Sequence, residues 1–150
     1  MKLAKEPVLN AAALPECHCL AMRQASRQVT RSYDQALAPL SLRTTQFSIL
    51  SRLHALGPMT INDLAAGLAL DRTTLGRNIL PLQRKGLVAT IRSRDDRRSK
   101  EVHVTQAGAL KLKAAARLWT KAQTSFEEGF GVPRVLALRK LLHELSLAKL

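Results

Sequence analysis

The chain has 150 residues, with 24 Lys and Arg against 11 Asp and Glu, so its formal net charge at pH 7 is +13. A composition that is 46% hydrophobic and 23% charged is typical of one globular domain, and it argues against disorder, a membrane span or a secretory signal. The excess positive charge predicts an acidic partner, and an aromatic content of 3% favours duplex DNA over single strands, whose bases stack on aromatic rings.

The first third of the chain predicts an arm followed by two helices. Residues 1–15 show no regular period. Apolar residues then recur at helical spacing over residues 16–37, and Pro39 ends this pattern because proline cannot continue a helix. A second helix is predicted over residues 44–56, with Gly57-Pro58 as its stop signal.

Two short helices joined by a tight turn are predicted next. Thr60 with Asp63 three residues later has the form of a capping box, which marks the start of a helix. Asp71 is a favourable N-cap for a second helix over residues 72–85, and Gly86 ends it. This arrangement is the helix-turn-helix form.

A charged hairpin and two longer helices complete the predicted elements. Residues 87–92 have strand propensity, and residues 101–105 alternate polar and apolar as a return strand does. Thr105 predicts the start of a helix over residues 106–128, and a last helix follows over residues 134–147. The predicted fold is therefore mainly α with a small β-hairpin wing, a winged helix-turn-helix.

The positive charge is concentrated in the segment that contains this second short helix and the hairpin. Between Arg72 and Lys100, nine basic residues face two acidic ones, so this fifth of the chain carries a net charge of +7. A run of charge is often only a solvated face, but here it coincides with the elements that contact DNA in winged helices.

Six short motifs follow one another along the chain. They are Gln46-x-x-Ile49-Leu50, Ile61-x-x-Leu64-Ala65, Asp71-Arg72-Thr73-Thr74-Leu75, Leu82-x-x-x-Gly86-Leu87-Val88, Asp96-Arg97-Arg98 and Val104-Thr105-x-x-Gly108. In order and spacing they resemble the MarR family of winged helix-turn-helix transcription regulators, over residues 16–148. The resemblance implies a homodimeric regulator, a repressor of nearby genes, that a small ligand releases from double-stranded DNA.

The resemblance also implies how the chain is divided. It predicts an arm over residues 1–15, a dimerisation helix over 16–43, a DNA-binding domain over 44–105 and C-terminal dimerisation helices over 106–150. The first and last helices carry apolar side chains beyond one intramolecular stripe, which fits a helical dimer core. Packing of the same side chains inside a monomer is the alternative.

The recognition helix, about residues 72–85, is expected in the major groove and the wing, residues 92–100, in the minor groove. The first half of the recognition helix offers arginine, threonine and asparagine to base edges. Capping of the first turn is an alternative role for the threonines. In the family an arginine of the matching wing motif enters the minor groove, held by an aspartate. The predicted DNA-binding residues are Arg72, Thr73, Thr74, Arg77, Asn78, Arg94, Asp96, Arg97 and Arg98.

Three residues depart from an ordinary helix-turn-helix. Gly76 weakens its helix, which is consistent with a close approach to DNA. Pro81 predicts a kink in the same helix, either a device that aims its first half or a tolerated bend. Ala69 stands in the turn where many members of the family have glycine, while this chain has a glycine at Gly67.

The sequence offers two hypotheses for sensing. The candidate ligand pocket, for a small aromatic or anionic molecule, consists of Tyr33, Phe47, His54 and Trp119, although such aromatic residues more often form core. Cys19, with Cys17 nearby, resembles the reactive thiol of the branch that detects organic hydroperoxides, in which tyrosines such as Tyr33 bind the thiolate. An inert thiol is the alternative.

Other classes of function have less support. We find no phosphate-binding loop, zinc signature or nucleophile elbow, so we expect no enzyme, no cofactor and no metal site. The chain is expected to be cytoplasmic and to have no membrane role, because two cysteines without a signal indicate reduced thiols. A non-specific architectural DNA-binding protein remains an alternative, because it would carry the same charge.

Overall fold

The structure is a computed structural model, and it describes residues 16–93 and 99–149. Six α-helices and three short strands lie along these residues, with one 3-10 turn, Ala38–Leu40, between the first two helices. They are α1 (His18–Leu37), α2 (Thr44–Leu56), β1 (Met59–Thr60), α3 (Ile61–Gly67), α4 (Arg72–Arg84), β2 (Val88–Arg92), β3 (Lys100–Val104), α5 (Gln106–Phe130) and α6 (Val132–Leu147). The mainly helical winged fold predicted from the sequence is confirmed.

The sheet has one strand more than the predicted hairpin. It is antiparallel in the order β1-β3-β2, and Val102 of β3 lies between Met59 of β1 and Thr90 of β2. The prediction of a two-stranded wing was incomplete, because a two-residue strand is too short to show an alternating pattern. β1 fixes the base of the wing to the start of α3.

The core lies where α2, α3, α4 and the sheet meet. Every third or fourth residue of α2 and α4 faces inward, as an amphipathic helix requires. The fully buried large side chains are Leu37, Ile49, Leu50, Leu53, Leu64, Leu75, Leu82 and Val102. This small core holds the helix-turn-helix against the wing.

The long helices outside this core are mostly exposed. The structure describes every residue of α1 and α6. Leu37 is the single buried residue of α1, and Val135 is the single buried residue of α6. α1 packs against α5, and α6 returns along the end of α5. Over residues 16–93 and 99–149 no helix is both long and apolar enough to cross a membrane.

The helix ends differ from the predicted ones by a few residues. α5 continues to Phe130, two residues beyond the predicted end, and α6 begins at Val132 with Pro133 in its first turn. Proline suits that position because its missing N–H would have no partner there. α4 runs through Pro81 to Arg84 as one helix.

Candidate nucleic-acid interface

The helix-turn-helix is held by bonds between neighbouring residues. Thr60 caps α3, its Oγ1 accepting a hydrogen bond of 3.1 Å from the backbone N–H of Asp63, as predicted. The chain then turns through Ala69, whose φ of +52° lies in the left-handed region. The resemblance leads us to expect glycine at this turn position. The geometry supplies the reason, because only glycine adopts that φ without strain.

Asp71 fixes the start of α4. One carboxylate oxygen accepts a hydrogen bond of 2.8 Å from the backbone N–H of Thr74, and the other accepts one of 2.6 Å from the Thr74 hydroxyl. These two bonds favour the ionised carboxylate and hold the pKa of Asp71 below its ordinary value. The predicted N-cap is confirmed, and the hydroxyl of Thr74 serves it.

The outer face of α4 presents three of the predicted groove residues. Arg72, Thr73 and Arg77 are exposed, and they lie opposite the buried side of the helix. Asn78 is half-buried, and its Nδ2 donates a hydrogen bond of 2.9 Å to the backbone oxygen of Thr74. The face available to base edges is therefore arginine and threonine, with Asn78 and Thr74 engaged in the helix itself.

The wing lies beside α4 and is tied to it. Gln83 Nε2 on α4 donates a hydrogen bond of 2.6 Å to Thr90 Oγ1 on β2. Arg92 and Lys100, paired across the two strands, are exposed at the loop end of the hairpin. The predicted wing-tip residues Arg94, Asp96, Arg97 and Arg98 lie outside the described residues.

The far end of α4 is attached to the rest of the molecule by two bonds that sequence reasoning missed. Lys85 Nζ donates a hydrogen bond of 2.8 Å to the backbone oxygen of Ser41. Thr105 Oγ1 donates one of 2.6 Å to the backbone oxygen of Gly86, and it also accepts from the N–H of Gly108, the predicted helix cap. These two bonds tie the C-terminal end of α4 to other segments, whereas Asp71 caps the first turn locally, and the lysine is used structurally.

The candidate ligand pocket is divided in the structure. Phe47 and Trp119 stack with ring centroids 5.8 Å apart, and both line a cavity of about 460 Å³. His54 is exposed and does not line that cavity. Tyr33 lies elsewhere, with its hydroxyl donating to Gln123 Oε1, and its pKa is raised by burial and by the nearby Glu127 carboxylate.

Arg52 is a residue of this cavity that sequence reasoning missed. It lies on α2, lines the cavity beside the aromatic pair, and has a buried Nε without a hydrogen-bond partner. A basic residue in a helix shows no periodic signal of its own, because its spacing is compatible with a solvated face. The neighbouring aromatic residues were the available hint.

The two cysteines lie at the start of α1. Both are free and exposed, and Cys17 is the N-cap residue of the helix. A guanidinium nitrogen of Arg23, one turn along, lies 4.0 Å from the Cys19 sulfur. Tyr33 is fourteen residues from Cys19, about 21 Å along a helix that rises 1.5 Å per residue, so within one protomer it does not reach the thiol.

Comparison with known proteins identifies the relatives of this chain. A model of the MarR family matches residues 42–100. The organic hydroperoxide resistance transcriptional regulator of Bacillus subtilis (strain 168) is 29% identical over 92 residues, 61% of this chain and 63% of that protein. The match therefore spans a little under two thirds of that relative's length.

Solved structures match over more of their length. The transcriptional repressor CouR bound to a 23-mer DNA duplex has a TM-score of 0.80 and 27% identity, over 92% of this chain and 98% of that one. The regulator MosR of M. tuberculosis in complex with DNA has a TM-score of 0.70 and 34% identity, over 88% and 99%. These relatives are transcription regulators and not enzymes, in agreement with the sequence prediction.

Proposed function

Because the chain belongs to the MarR family of winged helix-turn-helix transcription regulators, we propose that it binds a specific double-stranded DNA site as a homodimer and represses transcription there. The observation that carries this proposal is the exposed face of α4, where Arg72, Thr73 and Arg77 lie together on a helix that Asp71 caps and that Lys85 ties to Ser41 at its far end. Arginine can bind guanine through two hydrogen bonds, and a threonine methyl can contact thymine.

The same face would place the wing along the DNA backbone. Arg92 and Lys100 are the last paired residues of the two strands before the loop, and the loop sequence Arg94–Arg98 contains three arginines. We propose that the tip arginines enter the minor groove, with Asp96 orienting Arg98, where a narrow groove attracts cations by its negative potential. CouR and MosR are both described bound to DNA, which supports duplex DNA as the partner here.

We propose that α6, with parts of α1 and α5, forms the dimer core. Leu136, Leu141 and Leu147 of α6 are 56%, 62% and 72% exposed in the single chain. A row of leucines left in water is unfavourable, since burying each contributes about 1.5–3 kcal/mol. The division into an arm, a dimerisation helix over residues 16–43, a DNA-binding domain over 44–105 and C-terminal helices over 106–150 follows from this proposal.

The experiment is a fluorescence anisotropy titration of DNA that flanks the protein's own gene, with excess random DNA as competitor. We expect binding that resists the competitor and that weakens with salt, by about 0.9 in log K per log salt for each phosphate neutralised. Arg77→Ala should cost about 1–3 kcal/mol. Lys113→Ala, which removes an exposed charge from α5, is the matched control and should change affinity little.

The competitor separates the proposal from the architectural alternative. Binding that random DNA abolishes would favour a non-specific protein, because such a protein gains its affinity from phosphates alone. A binding constant whose logarithm does not change with the logarithm of the salt concentration would contradict DNA binding altogether.

A second candidate function is oxidant sensing through Cys19. A guanidinium nitrogen of Arg23 lies 4.0 Å from its sulfur, and the thiol is exposed, so a peroxide can reach it. The thiolate would attack the O–O bond of an organic hydroperoxide, giving a sulfenic acid at Cys19 and releasing the alcohol. The hydroperoxide resistance regulator of Bacillus subtilis supports this candidate as a relative.

The test is DNA binding before and after organic hydroperoxide, followed by a thiol reductant. Oxidant sensing predicts release that the reductant reverses and that Cys19→Ser abolishes. Cys17→Ser is the matched control, two residues away and equally exposed, and should still respond. Unchanged binding after oxidation would leave ligand release as the mode of regulation.

A further inference from the structure

An open groove with a volume of about 860 Å³, the basic groove, lies where α1 meets the start of α2 and the end of α4. Four basic residues line it. Arg27 and Arg31 belong to α1, Arg43 directly precedes α2, and Lys85 directly follows α4. All four side chains are exposed, and Asp34 is the one acidic residue among the described residues that line the groove. The basic groove therefore carries a net charge of +3.

Asp34 does not neutralise the two arginines of α1. Its Oδ1 accepts a hydrogen bond of 2.7 Å from the backbone N–H of Thr44, and its Oδ2 accepts one of 3.3 Å from Arg43 Nη1. No ion pair within residues 16–93 and 99–149 includes Arg27 or Arg31. These two arginines are one helical turn apart, where like charges destabilise a helix, and an anion lying along α1 would remove that repulsion.

The basic groove lies beside the recognition helix on the side away from the wing. Gln83 of α4 bonds to Thr90 of the wing, whereas Lys85 bonds to the backbone oxygen of Ser41 in the groove. Two residues on a helix that are two positions apart differ by about 200° around its axis, so the two bonds leave α4 on opposite sides. The outer face with Arg77 lies between them.

The two sides of the recognition helix correspond to the two strands of a duplex. The major groove is about 12 Å wide, so a helix inside it has a phosphate backbone on each side. In the proposed function the wing meets the backbone on one side of α4. The basic groove then faces the backbone on the other side.

Exposed cations of this kind suit an extended polyanion better than a small one. Small-molecule sites are concave and hold their ligands by a few placed polar groups. The buried side-chain donors and acceptors that have no partner among the described residues belong to Arg52 and His103, and neither residue lines the basic groove. A duplex instead offers each strand's phosphates about every 3.4 Å along its axis, and surface arginines and lysines bind them.

We propose that the basic groove binds the phosphate backbone on the side of α4 opposite the wing, so that Arg27 and Arg31 make α1 part of the DNA interface. The proposal rests on the proposed function and extends the DNA contact beyond the helix-turn-helix and the wing. The two arginines are about 6 Å apart along the helix axis, so both can lie along one strand.

The test is the salt dependence of DNA affinity, measured by anisotropy on the DNA that flanks the protein's own gene and on random DNA of the same length. In Arg27→Gln combined with Arg31→Gln, the slope of log K against log salt should become shallower by about 1.8 per protomer. From about 50 to about 200 mM salt, the affinity of this double variant should therefore fall about tenfold less per protomer. At a fixed salt concentration both DNAs should lose affinity by the same factor, because phosphate contacts carry no sequence information.

Two further double variants serve as controls. Arg27→Lys combined with Arg31→Lys keeps both charges and should keep the slope, because a point charge is sufficient to bind a phosphate. Arg117→Gln combined with Lys121→Gln removes two exposed charges at the same spacing from α5 and should also keep it. The second control separates a contact at the basic groove from the effect of net charge.

Sedimentation equilibrium of each variant checks its assembly state, because parts of α1 enter the proposed dimer core. If the glutamine double variant dissociates, Arg43→Gln replaces it. Arg43 lies outside α1 and is exposed, so its loss should make the slope shallower by about 0.9 per protomer without touching that helix.

Three results would overturn the proposal. The first is a glutamine double variant with the slope of the unaltered protein, and the second is an equal change of slope in the α5 control. The third is saturable calorimetric binding of inorganic pyrophosphate without DNA, lost in the glutamine double variant while the slope on DNA stays the same, which would assign the groove to a small anion. Absence of DNA binding by the unaltered protein would contradict the proposed function and the groove contact with it, whereas the three other results concern the groove alone.

Discussion

Single residues decide how the recognition helix begins. The Asp71 carboxylate accepts the backbone N–H of Thr74 in the first turn of α4 and at the same time accepts the Thr74 hydroxyl. The charge of Asp71 also lies at the positive end of the helix dipole. The side chains of Arg72, Thr73 and Arg77, which form the outer face, take no part in this cap, so the cap orients the face and leaves it available.

We expect the stability conferred by Asp71 to depend on pH. Its pKa is lowered in the folded chain, so the ionised carboxylate stabilises the protein above the ordinary pKa of an aspartate, and this is lost as pH falls through the lowered value. Asp71→Asn keeps an acceptor for the backbone but not the charge. Urea midpoints should differ near neutral pH and converge as pH falls below the lowered pKa of Asp71, whereas a constant gap would contradict the assignment.

Ala69 offers a second test at this scale. Because a non-glycine residue at positive φ is strained, Ala69→Gly should raise the free energy of unfolding by about 1 kcal/mol. Ala66→Gly, on exposed α3 where helical geometry is already met, should lower it by about 1 kcal/mol. Denaturant unfolding measures both, and equal signs for the two variants would refute the strain argument.

Between elements, α5 closely approaches the segment that leads into the wing. Gly108 is buried in the first turn of α5, where a Cβ would overlap the Leu87 carbonyl oxygen and lie 2.7 Å from Val104 Cγ2. The same carbonyl accepts the N–H of Thr105. Because Gly108 packs against these residues, the position of the wing is coupled to α5, the long helix that enters the proposed dimer.

Two glycines of α5 should respond in opposite directions to the same change. Gly108→Ala should destabilise the protein by about 3 kcal/mol, because the Leu87 backbone cannot move aside cheaply. Gly129→Ala has nothing within 4 Å and should stabilise the helix by about 1 kcal/mol. Thermal or urea unfolding of both variants gives the comparison, and a tolerated Gly108→Ala would contradict the close packing.

At the scale of the whole molecule, the single chain leaves much of α6 uncovered. Its buried residue is Val135, and its leucines face outward while polar and charged side chains share the other sides. A helix of this kind contributes little to a monomer. In the proposed dimer it would link two DNA-binding domains, whose recognition helices need a separation of about 34 Å to meet successive major grooves.

The dimer can be tested on α6 itself. Leu141→Lys places a charge in the proposed core and should shift the protein from dimer to monomer in sedimentation equilibrium, with weaker DNA binding as a consequence. Lys140→Ala, a neighbouring exposed position, should leave the dimer intact. A Leu141→Lys protein that sediments as a dimer would move the interface to another surface.

The sequence by itself determined the six α-helices and, to within a few residues, their ends, because these depend on interactions within a few residues. The caps at Thr60, Asp71 and Thr105 each bond to an N–H three residues ahead, and the apolar period marks the buried side of α4. The exposed face with Arg72 and Arg77 follows from that same period. Family resemblance then supplied the arrangement of the elements.

Only the tertiary structure decided the contacts between distant segments. The pairing of β1 with β3, the placement of Arg52 on Gly67 and the bond from Lys85 to Ser41 join residues that no local period relates. Such contacts form only when packing brings distant segments of the chain together. The spacing of side chains along the sequence does not indicate which segments will meet. For that reason the aromatic residues of the cavity could be suspected from the sequence, whereas its arginine could not.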